Sequence, residues 1–124
     1  MRLVIATPDE RVVDEETHKV SAEGEVGCFT LLPNHIDYVT VLRPGIVTFG
    51  GLSGERYAAV DLGVLVKEGP VVRIACRHAV VGESLEQLEG IVRERFLEVE
   101  DRERAVRAAF ARLEAEFVRH MMEL

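Results

Sequence analysis

The sequence predicts an α+β chain: an N-terminal antiparallel β-sandwich, flattened toward a barrel, over residues 1–82, followed by two C-terminal α-helices over residues 83–124. Three observations carry this prediction. Short β-branched runs alternate with Pro, Gly, Asn and Asp turn signals as far as Gly82. No helical pattern interrupts them, so the long crossovers that parallel strands require are missing. From Ser84 onward apolar residues recur every three or four positions, the period of a helix.

The predicted strands are 2–6, 11–13, 18–22, 27–32, 38–42, 46–49, 56–60, 64–67 and 71–76, separated by turn signals such as Pro8-Asp9, Pro33-Asn34, Pro44-Gly45 and Gly69-Pro70. Within 23–45, Gly24 and Gly27 allow a tight turn, 28–32 reads as a short buried strand, and Tyr38, Thr40 and Leu42 alternate with Val39, Val41 and Arg43. The helical half opens on Ser84-Leu85-Glu86-Gln87, a capping box in which the Ser84 hydroxyl bonds the amide at position 87. Two apolar stripes follow, Leu85, Leu88, Val92, Phe96 and Val99, then Val106, Phe110, Leu113, Phe117, Met121 and Leu124.

The stripes are in step, and Glu103 alone breaks the seam between them. A hairpin would turn near 98–101, with Asp101 capping a second helix. A single long helix needs nothing further, because neither Gly nor Pro lies between Leu97 and Val106. Both arrangements stay open, and a chain that can adopt either one is suited to switching.

At 124 residues the chain holds one small domain and an appendage, and a strand-rich half of that size is only just able to close its own core. A net charge of -7 argues against nucleic acid as a partner, since phosphate binding needs a basic surface. The apolar run 1–8 is too short for a signal peptide and no stretch approaches a membrane span, so a cytoplasmic protein without direct membrane insertion is expected. Cys28 and Cys76 are expected to be reduced and partly buried.

Other constellations carry little. Cys28, His35, Cys76 and His78 lack the tight paired spacing of structural zinc. Gly50-Gly51-Leu52-Ser53-Gly54 lacks the Lys-Ser/Thr that completes a phosphate cradle. His35, Asp37 and Asp61 assemble on paper into an acid–base group, which gives a second reading: a small β-sandwich enzyme with a helical oligomerisation tail. No nucleophile signature accompanies them.

In order and spacing, Thr7-Pro8-Asp9, Glu23-Gly24-Glu25-x-Gly27, Leu32-Pro33-x-His35, Leu42-x-Pro44-Gly45 and Ala59-Val60-Asp61-x-Gly63-Val64-Leu65 resemble the epsilon subunit of F-type ATP synthases. Residues 34–39 and 113–124 look closer to its alternate, sodium-type branch. The resemblance implies a non-catalytic central-stalk subunit, peripheral on the cytoplasmic side of the membrane, that links gamma and the c ring during proton- or sodium-coupled ATP synthesis. It implies that Glu23, Gly24 and Glu25 meet the c ring and that His35 lies near the gamma contact. It also implies that the helices, when extended, reach the beta subunits and restrain ATP hydrolysis, with Arg93, Arg102, Arg104 and Arg107 available to acidic partners. Asn34 stands where relatives commonly have glycine, in a turn that a left-handed asparagine would preserve. ATP-sensing relatives have Ile or Leu followed by Asp-x-x-Arg-Ala early in the first helix. Here that region lacks the motif, and a partial match, Asp101, Arg104 and Ala105, comes later, so ATP is a weak candidate for a regulatory ligand and no cofactor is expected.

Overall fold

The computed structural model describes residues 1–123. Ten strands precede the helix: β1 (Arg2–Ala6), β2 (Arg11–Glu16), β3 (Lys19–Gly24), β4 (Gly27–Leu31), β5 (Tyr38–Leu42), β6 (Gly45–Gly51), β7 (Gly54–Val60), β8 (Gly63–Glu68), β9 (Val71–Cys76) and β10 (Ala79–Gly82). They form one continuous hydrogen-bonded sheet in the order β10-β7-β6-β3-β5-β8-β9-β1-β2, with β4 paired to β3, which wraps around a single apolar interior. Inward residues follow the period of two: Leu3 and Ile5 on β1, Val47 and Phe49 on β6, Val72 and Ile74 on β9 are all buried.

Four expectations change. The sheet is not wholly antiparallel, because β1 lies parallel to β9, with Leu3 opposite Val72 and Ile5 opposite Ile74. The wrap of the sheet itself supplies that crossover, without a helix. A tenth strand, β10, pairs with β7; its four residues Ala79-Val80-Val81-Gly82 are too short to stand out as a run. On β4 only Leu31 is buried, and Cys28 is exposed. No residue other than glycine has a positive φ among the described residues, so the turn at Asn34 closes without a left-handed conformation, through the His35 amide donating to the Leu32 carbonyl at 3.0 Å.

The two expected helices are one joined helix with no hairpin turn. It runs through α1 (Leu85–Ile91), a π-helical turn (Val92–Leu97) and α2 (Glu98–Glu123), so residues 85–123 extend about 58 Å at 1.5 Å per residue. Ser84 caps it, its hydroxyl accepting from the Gln87 amide at 3.4 Å. Leu88, Val92 and Phe96 press onto Ala59, Ile46, Tyr57 and Val80 of the sandwich and form a second small core. Beyond Phe96 the helix leaves the sheet, and Val106, Phe110, Leu113, Phe117 and Met121 are all exposed. Leu124 and the Val99 side chain of the expected stripes lie outside the described residues.

Candidate interaction surfaces

Two loops at opposite ends of β5 carry the residues that the sequence singles out. At one end, β3 and β4 form a hairpin in which Gly24 faces Gly27 across Glu25-Val26. The hairpin tip is tied to β5: the Glu25 amide donates to Val41 O at 3.3 Å and the Arg43 amide to Glu23 O at 3.2 Å. Gly24 suits this close approach: a Cβ there would lie 3.1 Å from Thr40 Oγ1 and 3.2 Å from Phe29 Cε1, so those side chains would have to give by a few tenths of an ångström. Glu23 and Glu25 are exposed, and between the turn glycines Val26 is 98% exposed. The tip is therefore an acidic loop crowned by an apolar side chain.

At the other end, residues 32–37 form a projecting loop. His35 is exposed, with Nδ1 2.8 Å from Ile36 O, and its ring meets Tyr38 edge-on at 5.8 Å; Tyr38 in turn meets Phe29 at 5.4 Å. Beneath it lies Lys67, only 2% exposed, whose ammonium donates to His35 O at 2.5 Å and Gly69 O at 2.8 Å. Asp37 Oδ1 accepts from the Gly69 amide at 2.8 Å, so the loop is pinned to the β8–β9 turn at two points. Burying an ammonium is costly unless its donors are used, and these carbonyls use two of the three.

The surface between the two ends is apolar. Val39 and Val41 point outward from β5, and Val64 and Val66 stand opposite them on β8. With Leu32 and the 79%-exposed Ile36 they make an outward apolar strip beside His35. Lys67 was absent from the sequence-level candidates. Its signal was there: in Val64-Leu65-Val66-Lys67 it shares the inward phase of Leu65.

The remaining predicted residues fall elsewhere. Arg93 joins Glu23 in lining a groove of about 710 Å³ between the sheet and the base of the helix, with Phe29, Ile46, Val92 and Leu97 on its apolar wall. Arg102 and Arg107 lie further along the helix beside Glu103 and Val106, and Arg102 donates to Glu98 at 2.6 Å. Asp101, Arg104 and Ala105 are exposed on α2, away from the groove.

The paper acid–base group does not assemble. Asp37 is committed to Gly69, His35 to its own loop, and Asp61 to Arg77, whose Nε lies 3.1 Å from Asp61 Oδ2, and to His78 at 3.3 Å. Nor do Cys28, His35, Cys76 and His78 converge: among the described residues no group of three or more His, Cys, Asp or Glu could hold a metal ion. Burial, helped by the nearby Asp61 charge, pushes the Cys76 thiol up to about 11, so it behaves as a small apolar core residue. No helix among the described residues is long and apolar enough to cross a membrane.

Residues 1–82 match the family model for the β-sandwich domain of the ATP synthase delta/epsilon chain, and the chain belongs to that family. Within it the chain is an F-type epsilon subunit, as its relatives show. It is 37% identical to ATP synthase epsilon chain 2 of Paraburkholderia xenovorans, over 98% of this chain and 90% of that one. It is 34% identical to epsilon chain 2 of Cereibacter sphaeroides, over 98% and 86%. Among solved structures, a chain of the Euglena gracilis mitochondrial ATP synthase, captured as OSCP/F1/c-ring, superposes with a TM-score of 0.60 at 22% identity, over 74% of this chain and 61% of that one. A chain of the Tetrahymena thermophila mitochondrial ATP synthase central stalk and c-ring superposes with a TM-score of 0.54 at 12% identity, over 64% of each. At those identities the likeness is one of fold.

Proposed function

We propose that this chain is a non-catalytic central-stalk subunit of an F-type rotary ATP synthase, linking gamma and the c ring during proton- or sodium-coupled ATP synthesis and restraining ATP hydrolysis through its helix. Residues 1–82 are the docking platform and residues 83–124 the regulatory arm. The observation that carries this reading is the near full-length match to epsilon chains, in which the helical half is included. The exposed loops fit the two contacts: the acidic Glu23-Gly24-Glu25 tip suits polar loops of the ring, and the His35 loop with its apolar strip suits gamma. Each exposed ion pair at the tip is worth only about 0–1 kcal/mol, so the apolar strip supplies most of the grip.

The helix supports the inhibitory part of the reading. Its exposed apolar stripe, flanked by Arg102, Arg104 and Arg107, matches an apolar groove bordered by carboxylates, which the beta subunits would present. Location follows from partnership: the chain is held peripherally on the cytoplasmic side through gamma and the ring. Membership in the sodium-type branch is part of the proposal, and the two relatives named epsilon chain 2 are in keeping with a second, divergent form.

The test is direct. Purified chain is added to a catalytic head of alpha, beta and gamma subunits, and ATP hydrolysis and complex formation are followed together. The expected result is a stable complex through gamma with slower hydrolysis, the slowing relieved by salt. Absence of any complex, or turnover of generic substrates by the chain alone, would overturn the reading.

A further inference from the structure

We propose that the relay Asp61–Arg77–Glu103 sets the direction in which the long helix leaves the sandwich, with Arg77 as its positioning residue. This is a property of the chain itself and stands whether or not gamma is the partner. Apolar packing fixes the base of the helix but stops at Phe96. Beyond Phe96, Arg77 to Glu103 is a hydrogen-bonded link from the helix back to the sandwich, with Nη1 donating to Glu103 Oε1 at 2.9 Å and Oε2 at 3.2 Å.

The anchor is rigid. Asp61, 2% exposed in the β7–β8 turn, accepts from the Leu62 amide at 2.7 Å, and its own amide donates to His78 O at 2.9 Å. On the facing edge of Arg77, Nη2 donates to Asp61 Oδ1 at 3.2 Å; Nε, 3.1 Å from Oδ2, has no well-aimed hydrogen bond, so that contact is Coulombic. A guanidinium is a flat fork, so one edge seated on a fixed carboxylate determines where the other edge can receive Glu103. His78 closes the cluster, stacking on Phe96 at 6.2 Å while facing Asp61.

Two otherwise odd features then have one cause. Glu103 occupies the seam position where the apolar series calls for Val or Leu, and a carboxylate there is what Arg77 requires. The π-helical turn Val92–Leu97 carries an extra residue, which turns everything after it by roughly 100° relative to an unbroken α-helix. That turn itself carries the last buried side chains, Val92 and Phe96, and so changes which side of α2, Glu103 included, faces the sandwich beyond it.

Glu103 is the informative position, because removing it leaves the buried Asp61 still paired with Arg77. Spin labels are placed in the full chain at Ser53→Cys and Arg119→Cys with Cys28→Ser; buried Cys76 stays unlabelled. The interspin distance, unlike a melting temperature, reports helix direction. The wild-type distribution is expected to be narrow. Glu103→Gln should raise the fraction outside that peak by about two- to fivefold, the range a half-exposed ion pair controls. Glu103→Lys, repelled by Arg77, should raise it further, and Glu103→Asp should stay nearest to wild type. Distributions for Glu103→Gln and Glu103→Lys that superimpose on wild type would overturn the proposal.

Discussion

In the sandwich, Leu3, Ile5 and Phe49 have no exposed surface, whereas on α2 Phe110, Leu113 and Phe117 each keep more than half of theirs. The residue types are the same and the outcomes opposite. A sheet that wraps on itself supplies both walls of its own core. A lone helix buries only the stripe that something else covers, and here the sandwich covers it as far as Phe96. The first region covers its own apolar surface and the second leaves its apolar surface uncovered in the free chain.

The comparison breaks most readily at its two phenylalanines. Phe49→Ala should cost the free chain about 3–5 kcal/mol in urea unfolding, while Phe110→Ala should change it by less than about 0.5 kcal/mol. Similar losses at both positions would mean that α2 contributes to the fold of the free chain. Next in size is Gly63→Ala on β8. Its Cβ would lie 2.4 Å from Ala75 O and 2.8 Å from Cys76 Cβ, so a strand must shift at an expected cost of about 1–3 kcal/mol, read in the same unfolding experiment.

Smaller effects sharpen the boundary and the loops. Ser84→Ala removes the helix cap and should cost about 1 kcal/mol, seen as faster hydrogen exchange in the first turn of α1 with the β-strands unchanged. Lys67→Met should leave the sandwich within about 1 kcal/mol of wild type, yet speed exchange of the His35 and Gly69 amides, because the loop loses its ammonium anchor. Loop amides that keep their protection in Lys67→Met would remove Lys67 from that role.

The thiols give the mildest contrast. Cys28 should react at once with a thiol reagent at neutral pH and Cys76 only after unfolding. Cys76 is raised from 9.0 to about 11 in the fold, so the stability it contributes is complete below pH 9 and is lost as pH rises toward about 11. Simultaneous fast reaction of both thiols would contradict this.

Much of the β half was legible because alternation and turn residues act locally. Tyr38, Thr40 and Leu42 do alternate with Val39 and Val41, the first set being the less exposed, and Ser84 does cap the helix. What escaped depends on wrapping: the parallel β1–β9 pair joins residues some 70 positions apart, and nothing local marks it. The helix shows the same division. Its period and starting point were visible, as was the absence of a breaker after Leu97, but hairpin and extended forms bury the same stripe against different surfaces. Glu103 stood out as a flaw in the seam, while its partner Arg77 lies in a turn that carries no signal. In the loops, Glu23, Gly24, Glu25 and His35 were singled out through their order, and the structure places all four at the two ends of β5. Lys67 was passed over because a lysine in a strand is ordinarily read as solvent-facing.

The central claim is that a self-sufficient sandwich presents one apolar strip and one apolar helix face to partners in the rotary complex. Hydrogen–deuterium exchange on the full chain, free and assembled with gamma and the catalytic head, tests it most directly. The account predicts new protection across residues 32–41 and along α2, with β1 and β9 unchanged. Assembly that leaves both the loop and α2 as open as in the free chain would contradict it.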